Sequence, residues 1–258
     1  MNQAWFFPFG QPVKKLMQHD RTPKKVFVLG VYASAVHARW IGADGKEKIR
    51  ALAVASEPSI FWNGEAQEAK AIIDGIDVPE KAGKLVPADE KLNGPSGRAL
   101  DEKFLQRLGF GRQEAWLCDV VPYSCMNSGQ RKAVEREYRP WISPWKLPEP
   151  HMPERPKHAD IMKSRPQEIL DELRESQAPL LVLLGDEPIK WFLRCFDPRW
   201  NRLSDFLRDG EYGQKHSVTL NGYGVEVLPL VHPRQAAKLG AFSEEWAARH
   251  ACWLPPRK

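Results

Sequence analysis

The sequence predicts an α/β protein of three layers, α-β-α, around a central, mainly parallel sheet of four or five strands. Two observations lead to this fold class. Short, continuous apolar runs recur along the chain, as in strands that are buried on both faces. Segments with apolar residues at helical spacing lie between these runs. Such alternation is typical of a parallel sheet covered by helices on both sides.

The individual elements follow from these two patterns. The predicted strands cover residues 26–30, 52–55, 116–121, 180–184 and 225–231. The predicted helices cover residues 101–108, 165–176, 188–196 and 243–253. Because ligands of such sheets bind beyond the carboxyl ends of the strands, the residues just after each strand are the candidates for a functional site.

The chain of 258 residues is long enough for one large α/β domain, and we predict a single domain over residues 1–258. Two stretches rich in proline, near 76–97 and 139–156, interrupt the alternation and are predicted to be long surface excursions. Each could be a functional lid or a disordered insertion.

Composition restricts the classes of function. The net charge of +5 permits an anionic partner such as DNA without requiring one. The four cysteines form no Cys-x-x-Cys pair, so neither a metal site nor an iron–sulfur cluster is expected. No apolar run is long enough for a membrane span. We expect a cytoplasmic monomer with reduced thiols and no cofactor.

Four motifs follow the predicted strands. They are Val-Leu-Gly-Val-Tyr-Ala-Ser at 28–34, Leu-Cys-Asp-Val-Val-Pro at 117–122, Leu-Leu-Gly-Asp at 183–186 and Pro-Leu-Val-His-Pro-Arg at 229–234. Each motif alone is common. In this order, over residues 26–253, the chain resembles the uracil-DNA glycosylase superfamily.

The resemblance implies a monofunctional DNA glycosylase that breaks the C1′–N bond of an extruded pyrimidine. In that family the first motif begins with a glycine, here Gly30, and holds a residue that positions water. Many members have Asp, Asn or Glu where this chain has Tyr32, whose hydroxyl can orient water but is a poor base at neutral pH. His232 matches the histidine that donates to O2 of the leaving base. Its alternative role is a structural histidine at the end of a strand.

The resemblance also bears on the target base. Asp119 occupies the base-reading position, where a carboxylate accepts from the exocyclic amine of cytosine and a protonated carboxyl also donates to N3. Ala33 and Ser34 stand where a bulkier side chain would exclude C5 substituents, and Val54 aligns with the stacking residue. A C5-modified cytosine, as in phage DNA, is therefore one hypothesis for the target base, and uracil is the other. An equally good alternative is that Asp119 does not read a base and has the structural role of capping a turn.

Further residues are candidates for contacts to DNA: those at 127–132 because polar and basic side chains follow the strand there, and those at 186 and 234–239 because they match positions that meet DNA in the family. Asn127 lies where a contact to the extruded nucleotide is expected, and Leu239 is the candidate wedge. Contacts to the sugar–phosphate backbone are expected from Ser128, Arg131, Lys132, Asp186, Arg234, Gln235 and Lys238. For any one of these residues, a solvated surface is the alternative.

Two other functions stay open. A non-catalytic protein that binds DNA or senses damage on the same fold would explain the missing acidic residue of the first motif. A small-molecule hydrolase with His232 near its pocket is the third reading, although the chain has neither a Gly-x-Ser-x-Gly elbow nor a phosphate loop.

Overall fold

The computed structural model describes residues 4–207, 211–239 and 242–253. The strands are β1 (Val26–Tyr32), β2 (Ala35–Ile41), β3 (Glu47–Ser56), β4 (Lys84–Pro87), β5 (Ala115–Val121), β6 (Leu180–Leu184), β7 (His216–Leu220) and β8 (Tyr223–Leu230). The helices are α1 (Ala66–Asp74), α2 (Pro95–Leu100), α3 (Gln106–Leu108), α4 (Ser128–Lys132), α5 (Ile142–Trp145), α6 (His158–Ile161), α7 (Arg165–Ser176), α8 (Asp186–Trp191), α9 (Pro233–Ala236) and α10 (Ser243–Cys252).

The chain divides into two compact units. The first unit comprises residues 4–16, 33–95 and 123–156, and the second comprises 17–32, 96–122 and the described part of 157–253. That the two units belong to one domain stays a prediction.

The second unit contains a sheet of five strands in the order β5-β1-β6-β8-β7. The pairs β5–β1, β1–β6 and β6–β8 are parallel, and β7 joins β8 as an antiparallel edge strand. All residues of β5 and β6 are buried, as expected for strands covered on both faces. The mainly parallel sheet and the three-layer α/β class predicted from the sequence are confirmed.

The first unit contains a separate antiparallel sheet in the order β3-β2-β4. The apolar run at 52–55 is part of β3, so its predicted membership in the central sheet is wrong. Strand β2 had no predicted counterpart, because His37 and Arg39 break its apolar pattern. His37 and Arg39 are partly or fully exposed, while Val36, Ala38 and Trp40 are buried. This alternation is typical of a sheet with one solvent-exposed face.

The two stretches expected to be surface excursions are folded, and residues 76–95 and 139–156 of them belong to the first unit. Strand β4 lies within 76–97 and pairs with β2. Within 139–156, the rings of Trp141 and Trp145 stack at 4.1 Å and pack against the hydrophobic core. Although the proline-rich composition of these stretches indicated surface loops, their apolar and aromatic side chains are buried against the core.

Three further features concern the described ranges alone. No helix there is long and apolar enough to cross a membrane. Within those ranges, no group of three or more His, Cys, Asp or Glu side chains is arranged to hold a metal ion. The four cysteines, all of which lie in the described ranges, are free thiols.

Candidate functional site

The carboxyl edge of the five-stranded sheet brings two predicted site residues onto one row. Asp119 on β5 pairs with Gly30 on β1. Continuing the register across β6 and β8 adds Leu184 and Leu230, which pair with each other. Side chains at paired positions of a parallel sheet point to the same face. The Asp119 carboxyl therefore lies on the face where Gly30 leaves space.

A second row lies two residues further along the strands. Tyr32 follows Gly30, and His232 follows Leu230, each by two residues. Because side chains alternate between faces along a strand, Tyr32 continues the face that carries Asp119, about 7 Å closer to the open edge, and His232 follows the end of β8 in extended backbone. The Tyr32 ring meets Trp191 of α8 edge to face, with centroids 6.1 Å apart.

His232 caps α9 through its own ring. Nδ1 accepts a hydrogen bond from the Arg234 backbone N–H at 3.2 Å. Burial, with a smaller contribution from the charge of Arg234, lowers the pKa of His232 to about 4. At neutral pH the imidazole is therefore neutral, and because Nδ1 is the acceptor, Nε2 carries the proton. The site thus contains a neutral donor in a fixed tautomer.

Gly185 holds the backbone beside His232. Its N–H donates to the Leu230 carbonyl at 2.8 Å, which joins the end of β6 to the end of β8. Its φ of +92° and ψ of −172° lie in a region that glycine alone occupies readily. A Cβ at this position would lie 3.3 Å from the His232 Cβ. Glycine is required both by the backbone and by the close approach of the histidine.

Asp119 is a buried carboxyl group with 3% of its surface exposed. Among the described residues, none donates a hydrogen bond to its side chain, although the backbone carbonyl is bonded. Burial raises the pKa of Asp119 to about 7, against the opposing charge of Arg165. A carboxyl that is largely buried and has a raised pKa is common where a group is kept for a ligand.

Arg165 lies against the opposite face of β5. Its Nη2 donates to the Asp119 carbonyl at 2.7 Å and to Cys118 Sγ at 3.2 Å, while Nε donates to the Val120 carbonyl at 3.2 Å. Nη1 donates to Glu172 Oε1 at 3.1 Å. The end of β5 is thus fixed from the face that does not carry the Asp119 side chain.

A buried chain of hydrogen bonds fixes the end of β8. The Val231 N–H donates to the Tyr212 hydroxyl at 3.0 Å, and that hydroxyl lies 2.8 Å from His250 Nδ1. His250 Nε2 lies 2.9 Å from the Lys103 carbonyl, which can only accept. Nε2 therefore carries the proton and Nδ1 accepts from Tyr212. The residue immediately before His232 is tied to α10 in this way.

The predicted DNA-contacting residues of the second unit have different surroundings. Arg234 is exposed, with Nη2 3.4 Å from the Leu239 carbonyl, and Gln235 is half-buried. Lys238 forms an ion pair with Glu244 at 3.2 Å. Asp186 Oδ1 accepts from the Leu203 N–H at 2.7 Å, so this carboxylate anchors a neighbouring turn.

Two apolar side chains are exposed on this unit after α9. Leu239, the predicted wedge, is 39% exposed. Phe242, immediately before α10, is 82% exposed and has a φ of +54°. Exposed aromatic side chains of this kind suit stacking on a base.

The other predicted substrate residues lie in the first unit. Val54 is fully buried in its hydrophobic core and presents no surface to a ligand. Ala33 is buried, and the Ser34 carbonyl accepts from the Ser124 hydroxyl. The proposed site accordingly leaves Val54 out.

Helix α4 of the first unit carries the remaining predicted contacts. Asn127 caps this helix, because its Oδ1 accepts from the Gln130 N–H at 3.0 Å. Ser128 and Lys132 are exposed on it. Arg131 is also exposed and pairs with Glu154.

Four residues near the carboxyl edge were not predicted from the sequence to belong to the site. They are Arg165, Trp191, Tyr212 and His250. A signal for the first was present, because Arg165, Ile169 and Glu172 are spaced to share one helical face, and opposite charges on an apolar face indicate a buried pair. The others depend on contacts between distant segments.

The arrangement can offer hydrogen bonds to a ligand at the carboxyl edge of the sheet. His232 supplies a neutral donor and Asp119 a carboxyl that accepts, or donates when protonated. The sequence matches no protein-family model and no curated protein. A functional argument therefore rests on this geometry and on the motif resemblance.

Proposed function

We propose that this protein is a monofunctional DNA glycosylase that hydrolyses the N-glycosidic bond of a flipped pyrimidine, preferably a cytosine with a substituent at C5. The observation that carries the proposal is that a neutral His232, protonated on Nε2, and a buried Asp119 carboxyl both lie at the carboxyl edge of the same sheet. DNA is the proposed partner, and we expect a cytoplasmic monomer without a cofactor.

The spacing of the strands is compatible with one base. Asp119 lies near the end of β5 and His232 follows β8, and β1 and β6 lie between those strands. Three strand spacings correspond to about 14 Å across the sheet, and with the offset of about 7 Å between the two rows the backbones lie about 16 Å apart. Two side chains and two hydrogen bonds of about 3 Å each fill most of that distance. The remaining gap suits a single six-membered ring.

The proposed chemistry follows from the charge that develops. Cleavage of the C1′–N bond leaves an oxocarbenium-like sugar and an anionic base, as in glycoside hydrolysis. His232 Nε2–H donates to O2 and stabilises the negative charge in a site that requires no reorganisation. Water, oriented by the Tyr32 hydroxyl, then adds to C1′, and the proton that it loses passes to the released anionic base. Because the sugar cation develops first, a strong base is not required.

Asp119 is the proposed reader of the base. In its protonated form, the carboxyl accepts from the exocyclic amine of cytosine and donates to N3. In its ionised form it accepts only. With a pKa raised to about 7, both forms are present at neutral pH.

A second candidate function is recognition of DNA without cleavage. Tyr32 favours this second function. It occupies the position that orients water in the family, and its ring packs edge to face against Trp191. A tyrosine held in this way serves as a stacking surface as readily as a water-orienting group.

The test uses duplexes that contain uracil, cytosine or a 5-substituted cytosine, together with unmodified and C5-modified phage DNA. Abasic sites are detected by alkali cleavage. His232→Ala is expected to reduce the rate about 10²- to 10³-fold, the usual effect of removing one oxyanion donor. The control is His19→Ala, an exposed histidine of the same unit.

Strand breaks that persist in His232→Ala would exclude the proposed role of this histidine. Salt-sensitive binding with intact DNA in every lane would support the second candidate.

A further inference from the structure

Arg165 opens α7, and its guanidinium is buried against the end of β5, with 8% of the residue exposed. Its hydrogen bonds reach Cys118 Sγ, the Asp119 carbonyl and the Val120 carbonyl. One side chain therefore holds three consecutive residues of the strand. The planar, five-donor geometry of arginine makes this possible, and lysine cannot reproduce it.

The other side of the guanidinium is neutralised by carboxylates. Nη1 donates to Glu172 Oε1 at 3.1 Å and to Glu168 Oε2 at 3.2 Å. Glu172 is buried as well and accepts from Trp116 Nε1 at 3.2 Å. A buried network in which every member is bonded is rigid, so it fixes the position of the strand.

The position of β5 makes such a support necessary. β5 is an edge strand, with β1 as its neighbour on one side. Trp116 and Cys118, which the network contacts, point to one face of the strand, so Asp119 points to the other. Arg165 thus acts on Asp119 through the backbone and does not contact the carboxyl.

We propose that Arg165 is a positioning residue for Asp119: it fixes the end of β5 so that the carboxyl faces the proposed base-binding site, and it supplies the positive charge that acts on that carboxyl through the strand. The consequence of this positioning for the choice of base rests on the proposed function. The effect of Arg165 on Asp119 itself does not depend on that function. On the Arg165 side of this strand end, the charged and titratable groups of the described residues are Arg165, Glu168, Glu172 and Cys118, and Tyr32 and His232 lie at the carboxyl edge with Asp119.

The test separates the charge of Arg165 from its geometry. Arg165→Lys keeps the positive charge and loses the hydrogen bonds to the three consecutive residues of β5. The double variant Arg165→Met with Glu172→Gln removes the charge while leaving no buried carboxylate unpaired. Glu172→Gln alone is the matched control. The readout is the carboxyl-carbon NMR titration of Asp119, assigned by its absence from Asp119→Asn, with circular dichroism to verify folding.

In the double variant the midpoint of the Asp119 titration should rise, because the opposing charge is lost. In the control it should stay at the wild-type position. Arg165→Lys should keep the midpoint near the wild-type value but reduce excision about a hundredfold, as for a group misplaced by about 1 Å.

A folded double variant with an unchanged Asp119 midpoint would overturn the role of Arg165, as would Arg165→Lys with wild-type excision. If the wild-type protein releases no base, the proposed function fails, and the titration still decides whether Arg165 acts on Asp119.

Discussion

Asp119 is buried and His232 is half-buried, and in both residues burial favours the neutral form of the side chain. For the acid this means a raised pKa, and for the base a lowered one. Between about pH 4 and pH 7 both are therefore neutral in the folded protein. A site with two neutral, oriented hydrogen-bonding groups is suited to reading an uncharged base.

These shifts predict how stability depends on pH. The folded-state pKa of Asp119 lies above its unfolded value of about 3.9, so the native state keeps a proton that the unfolded state loses. The contribution of Asp119 is thus fully present below about pH 4 and is lost as pH rises to about 7. Asp119→Asn should stabilise the protein at about pH 8 by up to about 4 kcal/mol and have little effect at about pH 4.

Urea unfolding at the two pH values measures this difference. The exposed Asp77→Asn is the control, and it should change stability little at either pH. An Asp119→Asn protein that is less stable than wild type at the higher pH would contradict the buried, unpartnered state of the carboxyl.

The second prediction at the residue scale concerns the substitution of Gly185. Gly185→Ala should destabilise the fold by about 1–3 kcal/mol, because alanine is strained at this φ and ψ. It should also displace His232, since the new Cβ would lie 3.3 Å from the histidine Cβ. Excision and thermal unfolding are both measured.

Gly222→Ala is the matched control for this substitution. Gly222 also has a positive φ, of +80°, but a Cβ added there would meet no atom within 4 Å. This variant should lose stability and keep its activity per folded molecule. Equal losses of activity in the two variants would show that His232 is insensitive to Gly185.

At the scale of elements, α10 supports β8 through the Tyr212 hydroxyl. Tyr212→Phe removes the acceptor of the Val231 N–H and the donor to His250. An unsatisfied buried amide costs about 1–3 kcal/mol, so the stability of this variant should fall by that amount. Chemical denaturation measures it, with the partly exposed Tyr223→Phe as control. A Tyr212→Phe variant with the stability of the wild type would mean that the chain of hydrogen bonds does not hold the end of β8.

The elements of the second unit were largely predictable. Runs such as 180–184 are apolar throughout because both faces of β6 are covered, and this pattern has few alternatives. Strand β2 is absent from the prediction, which rested on continuous apolar runs, although the alternation of Val36, Ala38 and Trp40 with His37 and Arg39 is typical of a half-buried strand. The sheet to which β3 belongs was not predictable, because strand pairing depends on contacts distant in sequence.

At the scale of the whole molecule, the site could be predicted in part. His232 and Asp119 lie at the carboxyl ends of their strands, and the rule for that edge of a parallel sheet places them together. Val54 differs, because alignment by sequence position assigns it to the site, whereas the structure puts it in the core of the first unit. Tyr212 and His250 reach the site through the tertiary fold, and no local pattern indicates them.

The central claim is that His232 and Asp119 act together on a flipped cytosine-like base. The most direct test measures free base by chromatography after incubation of a duplex with one 5-substituted cytosine, for the wild type, His232→Ala and Asp119→Asn. We expect free base from the wild type, almost none from His232→Ala, and a shift of preference towards uracil in Asp119→Asn, because an amide reads uracil. Tight binding of the duplexes without release of base by the wild type would contradict the claim.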